Sequence, residues 1–371
     1  MINALAAPPA SQRALRRSRG SSVVGLVVAV AAIGALMVGG GPSEPQPAVP
    51  GGRMSATAAW PAAKLSTIAD LPLRPLLFLD TATALGTAPS EDDRFLRLLL
   101  RGPDGALREL RRLTMVERPR FENMTAAGDE VVWTEFGDGR PPEIWAASMR
   151  DGSPARRLTA DTGNVVFYGS QYDLLHHDGR VYWTAQPDDG TAATEIRSVA
   201  LSGGRVEVVQ EKGEWTMAAW PWLDDGASDG SGATLLRDMS TGREITVPTT
   251  GAEFAACSPS WCRVMVTSDN GLARIDLMHP DGSARRQIAG ATARTAVPDV
   301  AILDRFELLA EPGPNSGSTG TAGLLVYDIS TGNTVELTSS ANDAQSRGGL
   351  VWWYTSSAGA ARWHVLDLRT A

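Results

Sequence analysis

Short segments in which apolar and polar residues alternate fill the chain from about residue 63 to its C-terminus, with Gly, Asp, Ser and Pro between them. Alternation with a period of two over four to eight residues predicts β-strands that bury one face, and the bounding residues predict turns. No long segment after Gly41 has the 3.6-residue period of a helix. We therefore predict an all-β protein of short antiparallel strands.

The strand segments follow a repeated pattern: a strand, a loop, a second strand, a "DG" or "TG" turn and a closing strand. Copies read RFLRLLLRGPDGALRELRRL (94–113), EIWAASMRDGSPARRLT (143–159), TEIRSVALSGGRVEVV (194–209), TLLRDMSTGREITV (234–247), LARIDLMHPDGSARRQI (272–288) and GLLVYDISTGNTVELT (323–338). Self-similarity at roughly forty to fifty residues indicates a repeat fold.

Residues 120–159 read as one four-stranded antiparallel meander. The next unit repeats it, with VFYGSQYDLL (166–175) as its first strand, so that Trp133 and Trp183 fall on equivalent strands. A single such sheet leaves both faces uncovered, whereas sheets arranged radially bury each other's faces. The pattern thus predicts a β-propeller of four-stranded antiparallel blades.

We expect seven blades, with six as the alternative. The last unit lacks a fourth strand, and AKLSTI (63–68) precedes the first full unit with no partner of its own. We predict that this segment completes the last blade and closes the ring. The unit at 215–247 is the least regular, and we expect a distorted blade or an exposed loop there.

The repeats EIWAASMRDGSPARRLT and LARIDLMHPDGSARRQI resemble those of the TolB-like β-propeller family of bacterial proteins. The resemblance covers about 300 residues and implies a propeller outside the cytoplasm that binds proteins or peptides. It brings no catalytic residues with it. The chain lacks the N-terminal α/β domain of TolB itself, so the resemblance predicts architecture more closely than function.

The N-terminus predicts a membrane anchor. Four arginines precede Gly20, and residues 21–40 are uncharged and long enough, at about 1.5 Å per residue, to cross a hydrocarbon core of about 30 Å. The positive flank places residues 1–20 in the cytoplasm. We predict a single-pass signal anchor at 21–40, a Pro/Gly/Ala-rich linker at 41–62 and the propeller at 63–371. The alternative is a cleaved signal peptide and a secreted protein.

Charge excludes one class of partner. The net charge is −8, and because the N-terminal arginines contribute +4, the remainder carries about −12. Nucleic-acid binding needs a clustered basic face. We therefore expect no nucleic-acid partner.

Cys257 and Cys262 are the only cysteines, and they lie in AACSPSWCRVMV at a predicted turn. Outside the cytoplasm such a pair favours a disulfide. The four histidines, His176, His177, His279 and His364, have no Cys or His partner at zinc spacing. We predict no metal site and no cofactor.

Two further groups are candidates for binding. Trp215, Trp220 and Trp222 crowd the irregular unit, where exposed aromatic residues would make good anchors for a protein or a sugar ring. Core packing is nevertheless the leading explanation for them. The acidic run that follows, Asp224 and Asp225 among it, lacks the spacing of an EF-hand loop. We interpret that run as a solvated loop.

No catalytic constellation is visible in the sequence, so we predict a non-catalytic scaffold that binds a protein or peptide of the cell envelope, or a glycan. The alternative is a propeller hydrolase or lyase that acts on envelope or extracellular glycan at the central channel. Propeller enzymes gather residues from different blades, which hides such a site from sequence spacing. A cluster of acids, histidine and arginine with perturbed ionisation at one mouth of the channel would favour the enzyme, whereas a channel without such groups beside an exposed aromatic patch would favour binding.

Overall fold

The computed structural model describes residues 53–226, 235–357 and 360–371. Residues 48–268 and 272–371 form one compact unit. A second unit comprises residues 1–47 and 269–271, of which only the turn at 269–271 is described. The predicted tail, the predicted anchor at 21–40 and most of the predicted linker lie outside the described residues. None of the described helices is long and apolar enough to span a membrane.

The regular structure of the described residues is mainly β-strand, as the alternation predicts. The first elements are β1 (Met54–Ser55), a single helical turn (Ala56–Ala59) and β2 (Lys64–Ala69). Sheet 1 holds β3 (Arg74–Phe78), β4 (Ala84–Pro89), β5 (Phe95–Arg101) and β6 (Leu107–Thr114). Sheet 2 holds β7 (Arg120–Ala127), β8 (Glu130–Gly137), β9 (Arg140–Ser148) and β10 (Arg156–Thr159). Sheet 3 holds β11 (Asn164–Val165), β12 (Leu175–His177), β13 (Arg180–Gln186), β14 (Ala193–Ala200) and β15 (Glu207–Lys212).

The remaining sheets continue in chain order. Sheet 4 holds β16 (Thr216–Ala219), β17 (Trp222–Asp224), β18 (Leu235–Asp238) and β19 (Glu244–Thr246). Sheet 5 holds β20 (Glu253–Cys257), β21 (Cys262–Ser268), β22 (Gly271–Met278) and β23 (Arg286–Gly290). Sheet 6 holds β24 (Arg294–Thr295), β25 (Phe306–Pro312), β26 (Ala322–Asp328), β27 (Asn333–Arg347), β28 (Leu350–Ser357) and β29 (Ala360–Asp367), together with β1 and β2. Short helical turns lie at Met115–Glu117, Ser316–Thr319 and Leu368–Thr370.

Sheets 1, 2, 4 and 5 each contain four strands that follow one another in chain order, and the described pairings within them are antiparallel. The predicted meander at 120–159 is thus confirmed in sheet 2. Sheet 4 has strands of only three or four residues, in keeping with the irregularity predicted for this unit.

Sheet 6 has eight strands because β27 serves two sets of neighbours. The part of β27 from Asn333 to Ala341 pairs with β26, and the part from Asn342 to Arg347 pairs with β28. At the far edge, β2 pairs antiparallel with β29, from Lys64 opposite Asp367 to Ala69 opposite Arg362. The strand predicted at AKLSTI therefore completes the last sheet.

The described end of the predicted linker is packed, which corrects its boundary at residue 62. β1 pairs in parallel with β27. The Trp60 side chain is only 6% exposed, lies edge-on to Phe306 with ring centroids 5.5 Å apart, and donates from Nε1 to Asp328 Oδ2 at 3.3 Å. Burial of an indole draws this segment onto the sheet, since large aromatic side chains dominate core energetics.

The recurring "TG" turn has a structural reason at Asp238 and Asp328. The Oδ1 atom of Asp238 accepts from the N–H of Ser240 at 2.8 Å, and Asp328 accepts in the same way from Ser330 at 3.0 Å. Gly242, with φ of +71°, closes the first of these turns by donating its N–H to the Asp238 carbonyl oxygen. Glycine adopts this left-handed conformation at no steric cost, which explains its recurrence.

Hydrophobic clusters join each sheet to the next. Trp133 and Trp183 are fully buried, in clusters shared by sheets 1 and 2 and by sheets 2 and 3. Trp352 of sheet 6 meets Phe78 of sheet 1 with ring centroids 5.5 Å apart, so the last sheet also packs against the first. Successive antiparallel sheets that bury each other's faces and return to the start make a β-propeller.

Candidate functional site

A disulfide joins the two cysteines. Cys257 is the last residue of β20 and Cys262 the first of β21, and the two are cross-strand partners in sheet 5. The bond therefore closes the hairpin at the turn where the sequence predicts it. Cys257 also forms part of the wall of a cavity.

The three clustered tryptophans do not form one exposed loop. Trp215 is only 7% exposed and packs against Ile196 and Met217, which removes it from the candidate anchors. Trp220 is half-buried, with its ring centroid 4.0 Å from that of Tyr182, and Trp222 is half-buried at the start of β17. Binding through Trp220 or Trp222 stays a prediction.

The first strand of sheet 3 is interrupted. Both β11 and β12 pair with β13: Val165 lies opposite Ala185, and Leu175 lies opposite Tyr182. An unbroken strand would need only two residues between these positions, one opposite Thr184 and one opposite Trp183. The chain instead has nine residues there, 166–174. We call residues 166–174 the crossing segment. The predicted strand at 166–175 is thus wrong over most of its length.

The crossing segment reaches parts of the fold that are distant in sequence. Ser170 Oγ donates to Asp299 Oδ1 at 2.9 Å, and the N–H of Gln171 donates to the same oxygen at 3.2 Å. The Gln171 Oε1 atom accepts from the N–H of Gly348 at 3.0 Å. The crossing segment therefore contacts the loop at 298–300 and the turn after β27, both more than 120 residues away in the sequence.

A cavity of about 150 Å³ lies beside the crossing segment. Tyr168, Ser170, Tyr172 and Asp173 of that segment form one wall. Residues of sheets 4 and 5 and of the loop at 298–300 form the rest: Thr216, Met217, Ala218, Asp224, Gly226, Ala255, Ala256, Cys257, Ser258, Pro298, Asp299 and Val300. An engineered cavity of about this volume in another protein accepts a benzene-sized group.

Asp173 is a buried carboxyl group in the wall. It is 7% exposed, and its Oδ2 atom accepts from the N–H groups of Tyr168 at 2.8 Å and Gly169 at 2.6 Å. Burial raises the pKa of Asp173 to about 7, although these two hydrogen bonds and the nearby Arg347 oppose the rise. Asp173 therefore exchanges its proton near neutral pH.

Two further charged groups lie near Asp173: Asp299, which also lines the cavity, and Arg347. Asp299 is 6% exposed, and burial raises its pKa. Arg347 donates from one guanidinium nitrogen to the carbonyl oxygen of Met124 at 2.8 Å, and burial lowers its pKa against the opposing attraction of Asp299 and Asp173. One cation thus faces two acids in a poorly solvated environment.

Asp224, which we interpreted as part of a solvated loop, is instead a cavity residue at the end of β17. Its Oδ1 atom accepts from Thr216 Oγ1 and from the N–H of Gly226, both at 3.0 Å. Burial raises the pKa of Asp224 to about 6. Burial also raises the pKa of Tyr172 to about 12, so its phenol stays protonated at neutral pH and can donate a hydrogen bond.

A buried ion pair holds the loop that carries Asp299. Arg263 donates to Glu307 Oε1 at 2.6 Å and to the carbonyl oxygens of Pro298 and Asp299 at 2.9 and 3.3 Å. The other Glu307 carboxylate oxygen accepts from the N–H of Ala301 at 2.9 Å. Removing one member of such a pair leaves a buried charge alone, so this network fixes the position of the loop.

The described residues contain no group of three or more His, Cys, Asp or Glu side chains placed to hold a metal ion. His177 lies at the end of β12, half-exposed, with its ring 5.5 Å from that of Trp220. Neither His176 nor His177 is among the cavity residues. The groups that the cavity does offer are carboxyls whose pKa values burial raises, two phenols and the hydroxyls of Ser170, Thr216 and Ser258.

The sequence matches no protein-family model and no curated protein. Solved structures do resemble it. A prolyl endopeptidase superposes with a TM-score of 0.50 at 14% identity, over 94% of this chain and 56% of that one. An uncharacterized protein from Listeria monocytogenes EGD-e gives a TM-score of 0.50 at 11% identity, over 77% and 90%. The β-propeller domain of the Trilobed protease from Pyrococcus furiosus gives 0.48 at 11%, over 83% and 94%.

These likenesses bear on the fold alone, because the identities are low. The chain spans little more than half the length of the prolyl endopeptidase that it resembles. The finer TolB-like resemblance stays a prediction.

Sequence reasoning missed Asp173, Asp299 and Arg347. They are far apart in sequence and meet where the crossing segment contacts Asp299 and Arg347. One signal was present: Gly169 and Ser170 interrupt the segment 166–175, and such a pair inside a strand pattern marks a turn.

Proposed function

We propose that the protein is a seven-bladed β-propeller that binds a protein or peptide through the cavity beside the crossing segment, without catalysis. The count of seven divides sheet 6 in two at β27, whose halves pair with different neighbours. Hydrophobic clusters then lie at seven junctions between adjacent blades, including one inside sheet 6. The strand β2 closes the seventh blade.

The observation that carries the binding proposal is the cavity itself. Its 150 Å³ suits one side chain or head group of a larger partner rather than a whole oligosaccharide. Its polar side chains come from the crossing segment, from sheet 4 and from the loops that contain Ser258 and Asp299. They surround apolar lining residues that include Met217, Ala218 and Ala255. Binding sites combine an apolar lining with a few placed polar groups in this way.

A second candidate is the enzyme that acts on envelope or extracellular glycan. The raised pKa values of Asp173 and Asp224 favour it, since a general acid works best when its pKa lies near the working pH. We place it second because the hydrogen bonds that Asp173 accepts come from its own segment. That arrangement suits a structural carboxyl group.

The proposed location is outside the cytoplasm, held by an anchor at 21–40 or released after its cleavage. The basic and then apolar N-terminus supports this location, and so does the Cys257–Cys262 disulfide, because disulfides persist in oxidising compartments. The same proposal includes a TolB-like propeller family for this chain and a protein or peptide of the cell envelope as its partner.

The test is site-specific photocrosslinking of the full chain in its native membrane. A diazirine amino acid replaces Met217, which lines the cavity and is 6% exposed, or Met115, which lies in the turn after sheet 1 and is 43% exposed. We expect position 217 to crosslink repeatedly to one peptide segment of a partner protein, and position 115 not to crosslink to that segment. A synthetic copy of that segment should then bind the purified chain, and Ala218→Trp, which fills the cavity, should abolish the binding.

Two results would contradict the proposal. Identical adducts at both positions would remove the cavity as the binding site. Turnover of envelope glycan fragments by the purified chain, lost in Asp224→Asn, would establish the enzyme instead. An N-terminus determined on the same sample decides between an anchored and a cleaved protein.

A further inference from the structure

The crossing segment contacts the rest of the fold through apolar side chains as well as polar groups. Phe167 and Leu174, near its ends, pack in the cluster of Trp183, and Tyr172 packs in the cluster of Trp215. Its two ends are fixed, because β11 and β12 both pair with β13. Between them, Tyr168 and Gly169 are exposed, and residues 166–174 contain no regular secondary structure. Asp299 holds the middle by accepting from Ser170 and Gln171, and residues 347 and 348 hold it by donating to the Ser170 carbonyl oxygen and to Gln171 Oε1. Within the segment, Asp173 accepts from the N–H groups of Tyr168 and Gly169.

We propose that the crossing segment is a pH-dependent gate of the cavity, closed at acidic pH and released as the pH rises through neutrality. Release would leave both flanking strands paired and would remove one wall of the cavity, since Tyr168, Ser170, Tyr172 and Asp173 form that wall. The gate would thus couple access to the proposed binding site to pH. Its role in binding rests on the proposed function, whereas the movement itself does not.

The charges around the segment give the direction. Asp173 faces Asp299 and Arg347. The ring of Tyr168 faces Glu214, Asp173 and Asp224, and that of Tyr172 faces Asp299 and Asp304. Among these named groups acids outnumber the single cation, so ionising the carboxyls adds repulsion as well as an unfavourable loss of solvation.

The sign follows from proton linkage. In the closed form Asp173 has a pKa of about 7, against a usual 3.8 once it is solvated. The closed form binds the proton more tightly, so it is most stable below about pH 4 and loses stability as the pH rises to about 7. Burial raises the pKa of Asp299 as well, which acts in the same direction.

Hydrogen exchange of the full chain tests the gate without any ligand. We would measure the exchange rates of the amides of 167–173 at pH 5 and pH 8. The protection factor of each amide is its intrinsic rate at that pH divided by the observed rate. We expect the protection of this segment to fall at least tenfold. Asp173 alone sets an upper limit of about 100-fold, because only the two pH units between pH 5 and its pKa of about 7 contribute to this comparison. Amides of β8 in sheet 2 serve as the internal control and should change far less.

Two isosteric variants identify the groups responsible. Asp173→Asn and Asp299→Asn should each reduce the pH dependence of protection in 167–173, while Arg347→Gln should lower protection most at pH 8, where both carboxyls are charged. If one variant fails to fold, the pH dependence of protection in the other variant, compared with that of the native chain, still tests the role of the carboxyl groups. Protection that does not depend on pH, or that falls equally in β8, would overturn the gate.

The two proposals fail separately. If the protection of 167–173 depends on pH but no crosslink is specific to position 217, the gate is supported and the proposed function is wrong. Cavity-specific binding of equal strength at pH 5 and pH 8, with constant protection, would do the reverse.

Discussion

Sheets 2 and 3 follow one another in the chain and share a core, yet only one of them builds the candidate site. Sheet 2 runs as four uninterrupted strands around a fully buried Trp133. Sheet 3 keeps the equivalent Trp183, equally buried, but opens its first strand to admit the crossing segment. The comparison teaches that the outer strands of a blade maintain the fold while its innermost strand can be altered to form a site.

The two sheets also differ in what they bury. Sheet 2 buries mainly apolar side chains, and its buried Glu135 is fully paired, accepting from Arg111 Nε at 2.9 Å and from Trp133 Nε1 at 3.1 Å. The crossing segment of sheet 3 instead buries Asp173. Among the contacts described, its carboxyl accepts hydrogen bonds only from two backbone N–H groups of the same segment, those of Tyr168 and Gly169. Sheet 2 therefore stabilises the fold, whereas the altered part of sheet 3 lowers its stability at neutral pH.

The largest expected effect is in the regular sheet. Trp133→Ala should lower the free energy of unfolding by about 3–5 kcal/mol, because it empties a core position between sheets 1 and 2. Trp220→Ala, at a half-buried position of sheet 4, should cost roughly 1–2 kcal/mol, in proportion to the smaller area it buries. Urea unfolding monitored by circular dichroism measures both. Equal losses would remove the distinction between core and site aromatics.

The next largest effect is in the crossing segment of sheet 3 and depends on pH. Asp173→Asn should raise the free energy of unfolding at pH 8 by about 2 kcal/mol or more, with about 4 kcal/mol as the limit set by a pKa of about 7 against 3.8. At pH 4 the gain should disappear, since the native carboxyl is then protonated when folded.

The matched control for that variant is Asp93→Asn, an exposed aspartate in a turn of sheet 1. It should leave stability unchanged at both pH values. A gain from Asp173→Asn that is equal at pH 4 and pH 8 would show that the carboxyl charge is not the cause.

The fold was largely predictable because its signals are local. Alternation indicated the strands of sheet 2, and the absence of a partner for 63–68 indicated the pairing of β2 with β29. The packed segment at 54–60 was missed, since nothing local indicates that Trp60 finds Phe306 and Asp328 some 250 residues later.

The site was not predictable to the same degree. Asp173, Asp299 and Arg347 become neighbours through the closure of the whole fold, and no spacing in the sequence encodes that. Asp224 was assigned to solvent because its neighbours are turn residues, whereas its place at the end of β17 brings it to the cavity.

The Cys257–Cys262 disulfide of sheet 5 is expected to stabilise the hairpin beside the cavity. Replacing both Cys257 and Cys262 with serine should lower the free energy of unfolding by about 2 kcal/mol, as expected for so short a closed loop. Thermal unfolding with and without a reductant measures it. The reductant should destabilise the native chain and leave the double variant unchanged, and an effect on both would point to a cause other than this bond.

The smallest expected effect comes from making sheet 3 resemble sheet 2. Deleting residues 167–173 leaves Val166 and Leu174 opposite Thr184 and Trp183, which restores one continuous strand. Leu174 already packs in the cluster of Trp183, so the face of the strand is preserved.

We expect the deletion variant to fold and to lose no more than about 2 kcal/mol, mainly through Phe167, which packs edge-on to Phe136. Circular dichroism and thermal melting give the stability, and crosslinking at position 217 gives the binding. A stable variant without cavity-specific crosslinks would show that the crossing segment is present for the site. A variant that unfolds would make the segment part of the core of the propeller, and the contrast between the two sheets would then be one of packing alone.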